Sequence, residues 1–256
     1  MTDENLIQQA AAILRLAHHL AVLTGAGVSK ESGVPTFRDA QEGLWAKYNA
    51  EELATPMAFE RSPKLVWDWY EYRRELVRQA KPNPGHVALA HLGQYFPALR
   101  VITQNVDDLH EQAGSHNVIH LHGNLARSKC SANCQGDPTL IDVARLTLDS
   151  DEVPPRCPHC GAYVRPDVVW FHEILPADAI QDATLVARLC DVMLVVGTSG
   201  LVHPAASLPQ IAKQRGAKII EVNPVDSAIT PLADIKLDGP SGLIIPQLVE
   251  ALEANA

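Results

Sequence analysis

The chain has 256 residues, of which 46% are hydrophobic, and a formal net charge of −9. That length is long for one domain and short for two full ones, and it suffices to bury a sizeable core. The acidic balance speaks against a nucleic-acid surface, which shows as a basic patch or stripe, and no run approaches the ~18 apolar residues of a membrane span. The opening "MTDENLIQQ" is acidic and polar, without the features of a secretion signal. A cytoplasmic protein without nucleic-acid or membrane partners is expected.

In chain order, Leu6, Ile7, Ala10, Ile13, Leu14, Ala17 and Leu20 fall at helical spacing, with Asp3 as N-cap. Short apolar runs bounded by turn signals follow: "LAVLT" at 20–24, "LRVITQN" at 99–105, "VIHLHG" at 118–123, "VMLVVGTS" at 192–199, "KIIEVNP" at 218–224 and "IKLDG" at 235–239. Helical segments are expected between most of them, over 83–95, 177–189 and 205–215. Alternating buried strands and helices predict an α/β fold, a mostly parallel sheet with helices on both faces.

Two stretches break the alternation and predict a smaller lobe. One, about 40–82, is rich in tryptophan and tyrosine and reads as helical. The other, about 128–163, holds four of the five cysteines, in "CSANC" and "CPHC". Cys130, Cys134, Cys157 and Cys160 thus give C-x3-C, 22 residues, C-x2-C. Two close thiolate pairs suit one structural, tetrahedral zinc ion. The longer first pair leaves His159 as an alternative to Cys134. Cys190 reads as a core residue beside a strand.

Polar residues stand where the strands end, the place where open sheets bind ligands. They are Gln104 to His110 ("QNVDDLH"), His122-Gly123, Gly197-Thr198-Ser199 and Asn223-Pro224. Taken singly, Asn105 and Asp107 read equally as turn formers and His122 as a satisfied core histidine. Their joint placement points to one crevice. The stretch "LTGAGVSKESGVPTFRD" opens like a dinucleotide loop, yet Lys30 stands where a third glycine would be. The acid that holds a ribose about 20 positions on is also missing from "GLWAKYN". A dehydrogenase is therefore a poor fit.

The ordered set "GAGVSKESGVPTFRD", "GLW", "TQNVDDLH", "HLHG", the cysteine quartet, "RPDVVWFHE", "GTSGLVHPAA" and "EVNP" resembles the sirtuins, the NAD-dependent protein-lysine deacylases. The resemblance covers nearly the whole chain, from about residue 22 to 252. It implies a Rossmann-type doubly wound domain (1–39, 83–127 and 164–256). The smaller lobe would comprise a helical insertion (40–82) and a zinc-binding module (128–163). NAD and an acyl-lysine peptide would meet between them, giving nicotinamide, free lysine and O-acyl-ADP-ribose.

The resemblance also implies roles. Gly25, Ala26 and Gly27 would let the backbone approach the pyrophosphate. Phe37 would shield the reacting ribose carbon from water, and Arg38 would order the loop and the phosphates. Asn105 and Asp107 would hold the nicotinamide carboxamide, with Gln104 on the ribose and His122 as general base. Gly197, Thr198, Ser199 and Asn223 would hold the phosphates and the adenosine ribose, and Ser241 would touch adenine. The peptide would add as a strand beside Val169, Trp170 and Phe171. The family usually has glycine after that phenylalanine, where this chain has His172.

Tyr70 and Arg73 are three residues apart, so they share a helix face. Alone they read as a half-buried tyrosine and a solvated arginine. Sirtuins that remove succinyl, malonyl or glutaryl groups carry this pair, and Ala54 matches a small residue that widens their acyl pocket. The resemblance therefore implies a desuccinylase or demalonylase with weaker deacetylation. Mono-ADP-ribosyl transfer to protein and a non-catalytic NAD- or zinc-binding module are the alternatives.

Overall fold

A computed structural model describes residues 4–35, 48–146 and 152–254. Helix α1 (Glu4–Arg15) buries Ile7, Ala10, Ala11 and Leu14 and stops short of the expected end at residue 20. There the N–H groups of His18 and His19 both donate to the Asp191 carboxylate at 2.8 Å, and the chain turns into strand β1 (Leu20–Thr24). The expected cap, Asp3, lies outside the described residues. A single turn, α2 (Gly27–Lys30), follows β1.

The insertion is helical: α3 (Ala50–Leu53), α4 (Pro56–Arg61) and α5 (Pro63–Gln79). Asn49 and Thr55 cap the first two through their side-chain oxygens, which satisfies N–H groups that a helix leaves free. Helix α6 (Pro84–Leu92) begins with a reciprocal cap between Asn83 and His86. Then come β2 (Arg100–Thr103), α7 (Leu109–Gln112) and β3 (Val118–His120). Strands β4 (Gly123–Cys130) and β5 (Val164–Val168) form a separate antiparallel ribbon. The rest alternates: α8 (Ala177–Leu189), β6 (Val192–Val196), α9 (Leu208–Gln214), β7 (Lys218–Asn223), β8 (Ile235–Asp238) and α10 (Ser241–Glu253). No helix among the described residues is long and apolar enough to cross a membrane.

The six-stranded sheet has the order β3-β2-β1-β6-β7-β8 and every pair in it is parallel. This is the doubly wound α/β arrangement, with its switch point between β1 and β6. Side chains alternate along each strand. Leu20 and Val22 join α1, α6 and α10 in one core layer, while Ala21 and Leu23 join α8 and α9 in the other. The expected strand over 118–123 is divided. Gly123, at φ +77°, leads the chain out of the parallel sheet, and a Cβ there would lie 2.2 Å from the Asp167 carbonyl. His122 sits at this exit. Helix α5 joins the pieces of the smaller lobe: Trp69 and Tyr70 pack on Leu125, Val168 and Trp170, and Trp67 packs on Cys130 and Cys157.

A buried polar layer lies behind the ends of β1 and β2. His110 Nε2 is 3.0 Å from Thr24 Oγ1, which donates to Thr103 Oγ1 at 2.9 Å. His86 Nε2 lies 3.4 Å from Ser29 Oγ, and the two imidazole rings meet edge to face with centroids 4.9 Å apart. Burial pushes His86 down to about 4; burial, with His86 alongside, pushes His110 down to about 3.

Both rings stay neutral in the fold at pH values where the unfolded chain protonates them, near 6.5. Unfolding therefore takes up protons between about pH 6 and 4, and stability falls with pH there by up to about 1.4 kcal/mol per unit for each ring. Urea midpoints measured from pH 7 to 4 should show this decline, and His86→Asn should make it shallower. Equal slopes in the two proteins would contradict the assignment.

Candidate active site

A cavity of about 400 Å³ opens between the carboxyl ends of the sheet strands and the helical insertion. Gly25, Ala26 and Gly27 reach it from β1, Gln104 and Asn105 from β2, and His122 from the exit after β3. Gly197, Thr198 and Ser199 reach it from β6. Ala54, Tyr70 and Arg73 line the insertion side, and Val169, Trp170 and Phe171 line the segment after β5. Three predicted residues do not form its wall. Asp107 is buried and accepts from the Leu109 N–H at 3.2 Å, and Asn223 spends its amide on the Thr198 carbonyl at 2.9 Å. Ser241 bonds to the Glu31 carboxylate at 3.1 Å, which also accepts the Gly242 N–H at 2.7 Å and so caps α10. Phe37 and Arg38 lie outside the described residues.

The loops after β1 and β6 cross in contact. Gly25 N donates to Val196 O at 3.1 Å and Gly27 N to Gly197 O at 2.8 Å. A Cβ on Gly25 or Gly27 would stand 2.8 or 2.7 Å from the Gly197 oxygen, and one on Gly197 would stand 2.5 Å from Val28 N. Gly197 also holds φ +61°, a backbone region costly to other residues. The glycines thus serve each other before they serve any ligand. Gln104 ties the next strand in, donating to Thr198 Oγ1 at 3.0 Å. Bare backbone beside side-chain amides and hydroxyls fits a dinucleotide.

His122 Nδ1 lies 2.8 Å from the Gln104 carbonyl oxygen, which can only accept. That bond fixes the proton on Nδ1 and leaves Nε2 free to take one. Burial lowers the His122 pKa below 6.5, against the opposing pull of the same carbonyl. The ring is therefore a neutral base at physiological pH. Beside it, the Asn105 amide donates to Ser29 Oγ at 2.9 Å.

At the insertion end, the Tyr70 hydroxyl accepts from Trp170 Nε1 at 2.9 Å, so its own proton remains available to donate. Burial pushes Tyr70 up to about 12, and it stays protonated. The half-buried Arg73 lays its guanidinium 5.0 Å from the Trp69 ring centroid. Burial lowers its pKa, with Tyr70 and Asp107 opposing; a guanidinium remains charged regardless. Trp170 is itself held. Arg165 donates to both oxygens of Glu173, at 2.5 and 2.9 Å, and Glu173 accepts the Trp170 N–H at 2.8 Å.

In the cysteine module, Sγ atoms of Cys130, Cys134, Cys157 and Cys160 lie within 4.8 Å of one another, two pairs at 3.5 and 3.8 Å. Tetrahedral zinc with Zn–S bonds of about 2.3 Å sets its sulfurs about 3.8 Å apart, so the set fits. Asn133, at φ +44°, absorbs the extra residue of C-x3-C. His159 is exposed and outside the cluster. Burial would raise the Cys130 thiol, but the N–H groups of Cys134 and Ala132 and the neighbouring thiols pull it down to about 7, while burial and the same neighbours push Cys134 up to about 12; a bound metal would hold all four as thiolates.

Sequence reasoning passed over Glu51, Val106, Leu175, Val202 and His203, which also line the cavity, and Ser29, which anchors Asn105. The serine of "GAGVS" was a usable signal. The others come from segments whose approach only the fold sets.

The Sir2 family profile matches residues 25–204. An NAD-dependent protein deacylase of Pyrococcus furiosus is 50% identical over 247 residues, covering 96% of this chain and 98% of its own. A Sir2 homologue solved in complex with NAD superposes with a TM-score of 0.86 at 46% identity, over 99% of this chain and 94% of that one. Sir2Af2 bound to a myristoylated histone peptide gives 0.77 at 37% identity, over 99% and 98%. Coverage of this extent, over the same loops that build the cavity, establishes that the chain belongs to the Sir2 family.

Proposed function

We propose that this protein is an NAD-dependent protein-lysine deacylase that favours negatively charged acyl groups such as succinyl or malonyl. The observation that carries the reading is the placement of Tyr70, Arg73 and Ala54 on the wall of the cavity that holds His122. Deacylase activity is what the Pyrococcus relative's name states, and the NAD-bound homologue shares the fold. We also propose the division into a nucleotide-binding domain, a helical insertion and a zinc module along the expected boundaries.

When bound, NAD supplies the ribose carbon that bonds to the acyl oxygen as nicotinamide leaves. The crossed loops at Gly25–Gly27 and Gly197–Ser199 hold the phosphates, with Asn223 behind them fixing Thr198. Asn105 and the buried Asp107 would hold the nicotinamide carboxamide, with Gln104 on the ribose, and Asp107 also braces the turn through the Leu109 N–H. His122 holds its proton at Nδ1 and takes another at Nε2 from a ribose hydroxyl. Phe37 keeps its proposed role of shielding the ribose carbon, and Arg38 its proposed role of ordering the loop and the phosphates. Arg73 and Tyr70 bind the acyl carboxylate by charge-assisted hydrogen bonds. A partly desolvated guanidinium gains more from an anion than a hydrated one does. The peptide adds as a strand along Val169–Phe171, opposite the segment after Ser199. The four cysteines hold one structural zinc ion.

The following measurements test the reading. Arg73→Met should lower desuccinylation kcat/KM by about ten- to hundredfold while deacetylation changes little; equal losses would return both residues to packing roles. The acidic limb of kcat/KM should fall below the ordinary imidazole value of 6.5, because burial disfavours the protonated ring, and His122→Tyr should remove at least about a hundredfold of turnover. Metal analysis of the purified protein should find one zinc per chain, and chelation should lower Tm; a zinc-free, equally stable protein would exclude the metal site.

A further inference from the structure

The turn after β5 holds an unusual residue. Glu173 N donates to Trp170 O at 3.0 Å and closes a four-residue turn whose third residue, His172, has φ +73°. Turns with positive φ there select glycine, because a Cβ crowds the backbone. Contacts on both sides hold the turn in this conformation. Phe171 N is tied to Ala54 O at 2.9 Å, and the Trp170 N–H and Arg165 are both tied to Glu173. Strain kept in place by its surroundings at the edge of a cavity points to use. His172 is exposed and lines the same cavity as His122 and Arg73.

The charges around it indicate what it would meet. Among the described lining residues, the groups able to donate from a side-chain nitrogen cation or imidazole are Arg73, His122, His172 and His203. Arg73 and His122 lie inside; His172 and His203 are exposed at the rim. They stand on the two segments between which the peptide strand would lie. Of the carboxylates among the described lining residues, Glu173 is consumed by Arg165, which leaves Glu51 to oppose an acidic peptide there.

We propose that His172 is a specificity-determining residue whose imidazole, presented by a turn suited to glycine, binds an acidic side chain adjacent to the acyl-lysine. The inference rests on the deacylase reading above and adds the sequence class of the substrate. His203, on the facing segment with Nδ1 3.0 Å from Ser207 Oγ, forms the opposite side of the same subsite.

The test uses two peptides with one acyl-lysine, identical except that both flanking residues are Glu in one and Gln in the other. The acyl group is the one that the wild type removes faster. Wild type should prefer the Glu peptide by about tenfold in kcat/KM, mainly through KM, as a hydrogen bond to a charged group predicts. His172→Gly and His172→Asn both tolerate the left-handed backbone, and both should bring the ratio to within about twofold of unity. An unchanged ratio, a wild type without preference, or variants that lose turnover on both peptides alike would overturn the proposal and leave the deacylase standing. Absence of NAD-dependent turnover by the wild type on every acyl-lysine peptide would instead overturn the deacylase reading itself.

Discussion

The loops after β1 and β6 cross so closely that neither can carry a side chain at the point of contact. Everything near the cavity depends on that steric condition. Gly25, Gly27 and Gly197 let the loops after two neighbouring parallel strands meet backbone to backbone, and Thr198 is then placed to receive Gln104 from β2 and Asn223 from β7. A single methyl group at the crossing would push the two loops apart and misplace the residues of four strands. The glycines of a nucleotide loop are commonly explained by the ligand; here the protein needs them even without it.

The second organising element is α5. One face of it touches the cysteine module through Trp67, and the neighbouring face carries Tyr70 and Arg73 to the cavity. The metal site therefore does more than close a loop. It fixes the far side of the helix that forms one wall of the cavity. From the opposite direction, the chain of bonds from Arg165 through Glu173 and Trp170 reaches the Tyr70 hydroxyl. Tyr70 is thus oriented through Trp170 by an ion pair that lies on the strand β5 side of the cavity.

Much of this was legible in the sequence. Strands buried on both faces read as unbroken apolar runs, so β1, β2, β6 and β7 were visible. The zinc ligands were visible from spacing, and the strand-end residues from their position after those runs. Strand β4 was not, since "GNLARSKC" is a half-exposed ribbon without a clean alternation. Helix α1 ended early because Asp191, far along the chain, takes the N–H groups of His18 and His19. The buried pairing of Thr24 with His110 and of Ser29 with His86 spans 86 and 57 residues, and no local pattern announces such a bond. The protein partners of Asn223 and Ser241, the Thr198 carbonyl and the Glu31 carboxylate, were equally invisible in the sequence.

The cap that Glu31 places on α10 joins residues 210 and 211 positions apart. During synthesis the nucleotide loop leaves the ribosome early, yet the helix that receives its carboxylate is made much later. The crossing partner at Gly197 also arrives late. Bringing such distant segments together costs loop-closure entropy, which the contacts of the finished sheet offset. A fragment holding only the glycine-rich stretch lacks both partners, so the crossing of the two loops depends on residues from the far end of the chain.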